Sequence, residues 1–597
     1  MSNPSRRPVR KKKPLPSAQP RRTPNIALRR RLLLSVLGLA FVILTAGVFY
    51  RQVIQTEFLQ REGYARHVRD AVIPARRGMI MDRNGEPLAV STPVETITAE
   101  PRKLIDYAAA FPALAQALDL DVAFVRDRIE TNRDKGFIYL KRRVTLDEAR
   151  AVRQVVTEHK LQGVGFETEY RRFYPGAEVF AHVIGFTNIE DRGQEGLELV
   201  YDSVLKAEPG LQRVILDGRR RTVEQIEQVS APQPGQDLVL SLDRRLQYLA
   251  YRELKAAVTE HKAKGGTLVV LDVASGDVLA MVNQPSFNPN SDRTGHSERR
   301  RNRALTDVME PGSTLKPFVV AAALERNLIR PGTRFSTSPY NIGRNVVRDV
   351  HDYGMLDVTG IITKSSNVGS VKIAQMMSYE DLWTLYDRLG FGHPTGVGFP
   401  GESRGILRHY STWRPFEHAT HSFGYGLSVT SLQLAQAYLV LAADGIKRPV
   451  NLFKQDPLAA RSKPREAVRI LSPNTTRRLR TMMETVVSEQ GTAKQAMVAG
   501  YRAAGKTGTA KKSAGKAGYA SNRYQSVFAG FVPAKQPRFV MVVMIDEPGA
   551  GAYYGGVVAA PVFQKVMEGA LRLFNVPPDD PEPSMMLAQH RRGAAAP

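Results

Sequence analysis

Nineteen consecutive uncharged residues, Leu32 to Tyr50, constrain this chain of 597 residues more than any other stretch. As a helix they rise about 28 Å, enough to cross the hydrocarbon core of a bilayer. Three arginines precede the run and Arg51 follows it. A cleaved signal peptide would have a shorter apolar run and a small-residue cleavage site, and neither is seen. Residues 32–50 are therefore expected to form an uncleaved transmembrane anchor. Residues 1–31 hold eleven Lys or Arg and no Asp or Glu, and are read as a basic, disordered cytoplasmic tail with everything after Arg51 beyond the membrane.

The net charge of +26 is thus concentrated at one end, about +15 remaining for the rest. Charge beside a span is explained by topology and anionic lipid, so no nucleic-acid partner is expected. With no cysteine in the chain, disulfides, thiol chemistry and Cys-based metal sites are excluded, and neither a metal nor a cofactor is expected.

Turn signals and short apolar runs fill residues 51–235, expected as one domain. Met79 to Asp82 followed by Asn84-Gly85 predicts a strand entering a hairpin turn, and residues 104–130 and 145–160 have helical periodicity. His182 has no carboxylate or metal-ligand partner at a useful spacing and is read as structural. Ala231-Pro232-Gln233-Pro234-Gly235 marks a boundary to a second domain, 236–576. There Gly266–Asp272 and Asp277–Val282 predict a hairpin, 420–443 and 475–488 contain helices, and strands follow near 501–510, 525–532 and 539–546. Strands at both ends with helices between imply an α+β fold. The Pro-rich stretch 577–597 is expected to be disordered.

Within that second domain Glu310-Pro311-Gly312-Ser313-Thr314-Leu315-Lys316-Pro317 runs into the apolar stretch Phe318 to Leu324. The Pro-Gly turn delivers Ser313 to the first turn of a buried helix, where Pro317 removes no intrahelical bond. Ser313 and Lys316 then share one face, a hydroxyl beside an amine. The pair alone is unspecific, since Ser-x-x-Lys recurs at Ser203/Lys206 and Ser513/Lys516.

For Lys316 to act as a base it must be neutral near pH 7, about three units below an ordinary lysine, or roughly 4 kcal/mol. A second cation about 5 Å away at an effective dielectric of about 20 supplies roughly 3 kcal/mol, and burial the rest. The sequence offers both another lysine and a hydroxyl relay. Lys364-Ser365-Ser366-Asn367 opens an apolar helical run, and Gly505-Lys506-Thr507-Gly508-Thr509-Ala510 falls on a predicted strand with Lys506, Gly508 and Ala510 on one face. Gly508 leaves room for another backbone. Gly500 to Thr507 also fits the spacing of a phosphate-binding loop, but the residues after it lack the apolar stripe of the helix such a loop must open.

Ser313-x-x-Lys316, Ser365-x-Asn367 and Lys506-Thr507-Gly508, in this order, resemble the three motifs of the penicillin-binding proteins. Arg77-Gly78 with Asp82-Arg83-Asn84-Gly85, and Gly193 with Gly196-Leu197-Glu198, are similar to pedestal motifs of the class B, monofunctional type. No glycosyltransferase signature of class A intervenes. Phe423 to Leu427 and Tyr553 to Phe563 resemble segments of the division-specific subtype. The resemblance implies a penicillin-binding/serine β-lactamase-like transpeptidase domain, an antiparallel sheet flanked by helices, on an elongated N-terminal pedestal. It also implies a bacterial inner-membrane protein with a periplasmic catalytic domain.

For the residues, the resemblance implies that Ser313 attacks the penultimate D-Ala carbonyl of a stem pentapeptide on nascent glycan and that Lys316 takes its proton. Ser365 would relay a proton to the leaving amine and Asn367 would hold Lys316 and the substrate amide. Lys506, Thr507, Gly508 and Thr509 would receive the terminal carboxylate and the donor peptide on a strand edge, with the N–H groups of Ser313 and Thr509 as oxyanion hole. Tyr425, Tyr553 and Tyr554 are candidate pocket walls, or else core aromatics. Glu310 is read as either a general base or a salt-bridge partner. β-Lactams would acylate Ser313. An FtsW-like glycosyltransferase and other divisome proteins are the implied partners. The same motifs also admit an elongation-type transpeptidase, a D,D-carboxypeptidase, a serine β-lactamase or a β-lactam sensor.

Overall fold

The computed structural model describes residues 26–59, 61, 68–216, 222–291, 297–454, 466–513 and 518–580. Most of the expected tails, and Lys516 of the third Ser-x-x-Lys pair, lie outside the described residues. The chain divides into two compact units, Met1–Ala71 with Gln212–Val229, and Val72–Leu211 with Ser230–Pro597.

In the first unit, helix α1 (Ile26–Phe49) continues as a wider helical turn, Tyr50–Ile54. Its most apolar 18-residue stretch has a mean hydropathy of 2.6 and buries nothing, and this 29-residue span is the one helix among the described residues long and apolar enough to cross a membrane. It fits a single-pass anchor. The helix begins earlier than the apolar run because Arg29, Arg30 and Arg31 are themselves good helix formers and carry it past the uncharged segment.

The second unit holds two well-packed regions. In its N-terminal part, strand Pro87–Ala99 pairs antiparallel with both Ile138–Val144 and Val164–Phe173, and Ile80–Met81 enters the expected hairpin. Helices Phe111–Ala117, Val122–Glu130 and Leu146–Glu158 bring Leu114, Val125, Ile129 and Val152 into its core. Beneath lies a charged knot. The Glu198 carboxylate, fully buried, receives Arg77 Nε at 2.8 Å and Arg172 Nε at 2.7 Å, and Arg77 also reaches Asp202 at 2.7 Å. His182 is buried too, its Nε2 2.8 Å from Arg299 O, and burial lowers it to about 4, as a satisfied structural histidine requires.

The C-terminal part is an antiparallel sheet of β1 (Gly265–Asp272), β2 (Val278–Gln284), β3 (Ala504–Ser513), β4 (Tyr519–Val532) and β5 (Phe539–Asp546), in the order β2-β1-β5-β4-β3. Every residue of β1 and β5 is buried, which demands cover on both faces. Position 266 faces Leu254 of α2 (Arg244–Glu260), while Thr267, its neighbour, bonds Ser431 of α6 (Ser431–Ala442) at 2.6 Å. Alternation along the strand therefore sets α2 and α6 on opposite faces. The C-terminal helix α7 (Ala560–Leu573) lies on α2, Gly569 against Leu249.

Helix α3 (Lys316–Glu325) meets α6 through Phe318 and Tyr438 and packs against α4 (Val358–Lys364) and α5 (Asn367–Ala374). Helix α3 buries all its residues from Lys316 to Leu324, as an apolar all-round sequence must. Both Pro-Gly delivery of Ser313 and tolerance of Pro317 are seen, though Gly312–Leu315 form a tighter 3₁₀ turn before the α-helix starts.

The buried knot sets a stability test. Glu198→Ala leaves two guanidinium groups without their shared carboxylate, and unfolding free energy should fall by about 3–5 kcal/mol, read as a lower melting temperature of the purified protein.

Candidate active site

Three segments far apart in sequence meet at Lys316. Its Nζ lies 2.9 Å from Ser313 Oγ, 2.5 Å from Ser365 O, 3.2 Å from Ser365 Oγ and 2.8 Å from Asn367 Oδ1. Two of these partners, a carbonyl and an amide oxygen, can only accept. A neutral amine spends its two N–H bonds on them and keeps its lone pair for the Ser313 O–H. Lys316 is fully buried, whereas Ser313 is only partly so and can be reached.

Local sequence explains each placement. The turn carrying Ser313 is held from behind: Gly312 N–H donates to Gly424 O at 3.0 Å, Thr314 Oγ1 to Pro311 O at 2.7 Å, and Tyr438 of α6 to Thr314 O at 2.8 Å. Gly424 has φ +84°, and a Cβ there would stand 2.0 Å from Gly312 O, so no other residue fits. Ser365 closes α4 in the left-handed region, φ +61°, an uncommon conformation for serine. That bend presents its carbonyl to Lys316 and frees Ser366 to cap α5 by accepting Gly369 N–H at 2.9 Å. Asn367, first in α5, also donates its Nδ2 to Arg348 O at 3.2 Å.

Asp349, which no sequence motif singled out, holds this corner. Its Oδ1 accepts the N–H of Asn367 at 2.5 Å and of Val368 at 3.0 Å, and its Oδ2 accepts the Ser366 hydroxyl.

Strand β3 is the free edge of the sheet and runs beside the Ser313 turn. The phosphate-loop alternative fails here, since residues 504–513 are strand rather than helix. A Cβ on Gly508 would meet Pro311 O at 2.8 Å and Thr314 Cγ2 at 2.9 Å, and one on Gly312 would lie 3.7 Å from Thr509 N, so the two backbones touch through glycines. Lys506 is fully buried, and among the described residues its amine bonds only Thr507 O at 3.2 Å and Thr507 Oγ1 at 3.5 Å. Thr507 Oγ1 bonds Thr492 at 2.9 Å, and Thr509 Oγ1 accepts Gly555 N–H at 3.1 Å.

The electrostatics depart from the sequence expectation in one respect. Lys316 is lowered to about 7 by burial, against which the negative charge of Asp349 acts, and the repulsion between the two cations falls on Lys506. Burial and then Lys316 push Lys506 well below an ordinary lysine. Asp349 supports the ammonium of Lys316 against burial, whereas at Lys506 burial and the charge of Lys316 act in the same direction.

The tyrosines line the same edge. Tyr425, partly exposed, accepts Lys511 N–H at 3.3 Å and stands edge-on to Tyr519 at 5.5 Å. Tyr553 stacks on Tyr524 at 4.3 Å and lies tilted against Tyr554 at 4.5 Å, and Tyr554 directly precedes the Gly555 that bonds Thr509. Tyr554 is half exposed, so these are not core aromatics. The Glu310 carboxylate has no salt bridge among the described residues; it accepts Gly426 N–H at 2.8 Å and the Tyr519 hydroxyl at 3.0 Å, clasping the Ser313 turn to the loop before α6 and to the start of β4. Burial raises it. Asp349, Thr492 and Tyr519 were missed because each acts across a long loop, with no local pattern to mark it.

Residues 266–568 match the family described as Penicillin binding protein transpeptidase domain, and residues 72–240 the Penicillin-binding Protein dimerisation domain. The chain is 43% identical to peptidoglycan D,D-transpeptidase FtsI of Escherichia coli, over 93% of each sequence. It is 42% identical to the probable peptidoglycan D,D-transpeptidase PenA of Neisseria gonorrhoeae, over 93% of this chain and 94% of that one. Among solved structures, the apo transpeptidase domain of Burkholderia pseudomallei penicillin-binding protein 3 superposes with a TM-score of 0.52 at 44% identity, covering 57% of this chain and 97% of that one.

The glycine contact between β3 and the turn can be tested. Gly508→Val should force the two backbones apart and lower the rate at which a serine-acylating fluorophore labels Ser313 by roughly a hundredfold, with the melting temperature recorded alongside.

Proposed function

The chain belongs to the class B penicillin-binding proteins and is a peptidoglycan D,D-transpeptidase, and from that premise we propose how its residues divide the work and where in the cell it acts. Ser313 is the nucleophile and Lys316 its base. The observation that carries this is the set of contacts at Lys316 Nζ: two obligate acceptors at 2.5 and 2.8 Å, and the Ser313 hydroxyl at 2.9 Å where the lone pair remains.

The donor stem peptide lies along β3, its terminal carboxylate against Lys506, Thr507 and Thr509. Lys506 has too few acceptors to hold an ammonium by itself, and an arriving carboxylate supplies one. Burial already holds Lys316 near 7, so a neutral amine is at hand when a base is needed. Ser313 Oγ attacks the penultimate D-Ala carbonyl, its proton passes to Lys316, and the oxygen gathers charge between the N–H groups of Ser313 and Thr509. Lys316, through Ser365 Oγ at 3.2 Å, returns the proton to the departing D-Ala amine. An amine of a second stem peptide then attacks the acyl-enzyme and completes the cross-link. Tyr425, Tyr553 and Tyr554 wall the peptide groove.

We place residues 51–235 as the pedestal and 236–576 as the transpeptidase domain. The anchor holds the N-terminus in the cytoplasm and the catalytic domain in the periplasm, supported by the eleven cationic residues before Leu32. The proposed cellular role is septal cross-linking beside an FtsW-like glycosyltransferase, supported by the 43% identity to FtsI and by the Phe423–Leu427 and Tyr553–Phe563 segments.

Ser313→Ala should abolish labelling by fluorescent penicillin and cross-linking of lipid-linked nascent glycan. Continued labelling would overturn the nucleophile. Rapid loss of label from the wild type would instead point to a β-lactamase, and release of D-Ala without cross-links to a carboxypeptidase. Depletion in cells should give filaments, whereas round cells would mean an elongation role.

A base near 7 also fixes the pH response. Lys316 is active when neutral, so acylation should be flat above about pH 7 and should fall at lower pH as the amine takes up a proton, approaching tenfold per unit. An acid limb that lay in the range of an unperturbed carboxylate would exclude Lys316 as the base.

A further inference from the structure

Asp349 is not among the residues of the three motifs, yet it touches the corner they share. It follows the strand Asn345–Val347 and reaches back across the start of α5, where it accepts hydrogen bonds from three successive residues: the Ser366 hydroxyl, Asn367 N–H and Val368 N–H. The carbonyl of the preceding residue, Arg348, takes Asn367 Nδ2. One loop therefore fastens both the backbone and the side-chain amide of Asn367. With its nitrogen fixed, the amide has a single orientation left for Oδ1, toward Lys316 Nζ at 2.8 Å. Ser366, held in the same way, anchors the end of the left-handed turn that aims Ser365 O at that amine.

We propose that Asp349 is a positioning residue for acyl transfer, which by gripping Ser366, Asn367 and Val368 fixes the two obligate acceptors that orient the amine of Lys316. This rests on Lys316 being the base of Ser313. An isolated helix cap would end there, but Asp349 also carries charge beside a buried amine. The groups facing Lys316 are Ser313 from its own turn, Ser365 and Asn367 from the α4–α5 corner, Lys506 from β3 and Asp349 from its loop. Tyr353 also feels Asp349, raised by burial and then by that carboxylate. Burial favours the neutral amine and Asp349 the ammonium. Asp349 thus aligns the base while holding its affinity for protons up, two effects that substitution separates.

Asp349→Asn keeps an acceptor for the two N–H groups and removes the charge. Asp349→Ala removes both. In the full-length protein, acylation by fluorescent penicillin is followed from acid to mildly alkaline pH, with thermal melts to record folding. Asp349→Asn should keep the plateau rate within about threefold and move the acid limb to lower pH, because the ammonium has lost its attracting anion. Asp349→Ala should lower the plateau by roughly tenfold or more.

An unmoved or raised acid limb in Asp349→Asn overturns the electrostatic half of the proposal, and a wild-type plateau in Asp349→Ala overturns the positioning half. Should Asp349→Ala not fold, Asp349→Asn decides alone: a plateau lowered beyond threefold with an unmoved limb overturns the proposal. Ser313→Ala run in parallel keeps the two levels distinct, since label on that variant would refute the base-and-nucleophile reading whatever Asp349 does.

Discussion

A lysine can take a proton from serine only where water does not hold it charged. In the proposed assignment, with Lys316 as the base of Ser313, the exclusion of water from Lys316 is therefore the constraint on which the site depends, and the surrounding fold supplies it. Helix α3 is buried along its length, so its first residue is buried as well. Strand β3 closes the remaining side at the distance two glycine-bearing backbones allow, and α6 backs the turn through the hydroxyl of Tyr438. None of these groups reacts, yet each keeps solvent from the amine.

Burial alone would leave a lysine neutral but unaimed. Aim comes from the α4–α5 corner, where an uncommon serine conformation and an amide with its nitrogen already engaged turn two oxygens onto one amine. Such a corner persists because the helices on either side are themselves packed: Ile361, Ile362, Val368 and Val371 are fully buried. Strain in a single residue is small against that much apolar burial. The same rigid and mostly apolar frame leaves Ser313 partly exposed while the amines of Lys316 and Lys506 are buried beside it.

Much of this was legible in the chain itself. The span, the hairpins, the buried helix after Ser313 and the alternation that put Lys506 and Gly508 on one face of a strand all follow from periods of 2 and 3.6 and from the positions of Pro and Gly. The three motifs could be joined because each has its own residue signature. What escaped was whatever depends on the closing of long loops. Asp349 looks like any loop aspartate until the chain between it and Ser366 is folded back. Thr492, which steadies Thr507, and Tyr519, which meets Glu310, are ordinary for the same reason. Charge repulsion between two lysines was anticipated, but that it falls on Lys506, while the carboxylate of Asp349 supports Lys316, depends on where the folded chain puts these groups.

The contact of Gly424 with Gly312 has one more consequence. A turn pinned from behind by a neighbouring main chain has no slack, so it meets its reactant without adjusting to it. The partner must then surrender the internal freedom that the fit requires. A flexible peptide has many torsions to surrender, whereas a strained fused ring has lost most of them before it arrives. A receptor this stiff is therefore entropically biased toward rigid impostors over its own supple substrate, and loosening the turn to refuse them would blunt the attack it was built to deliver.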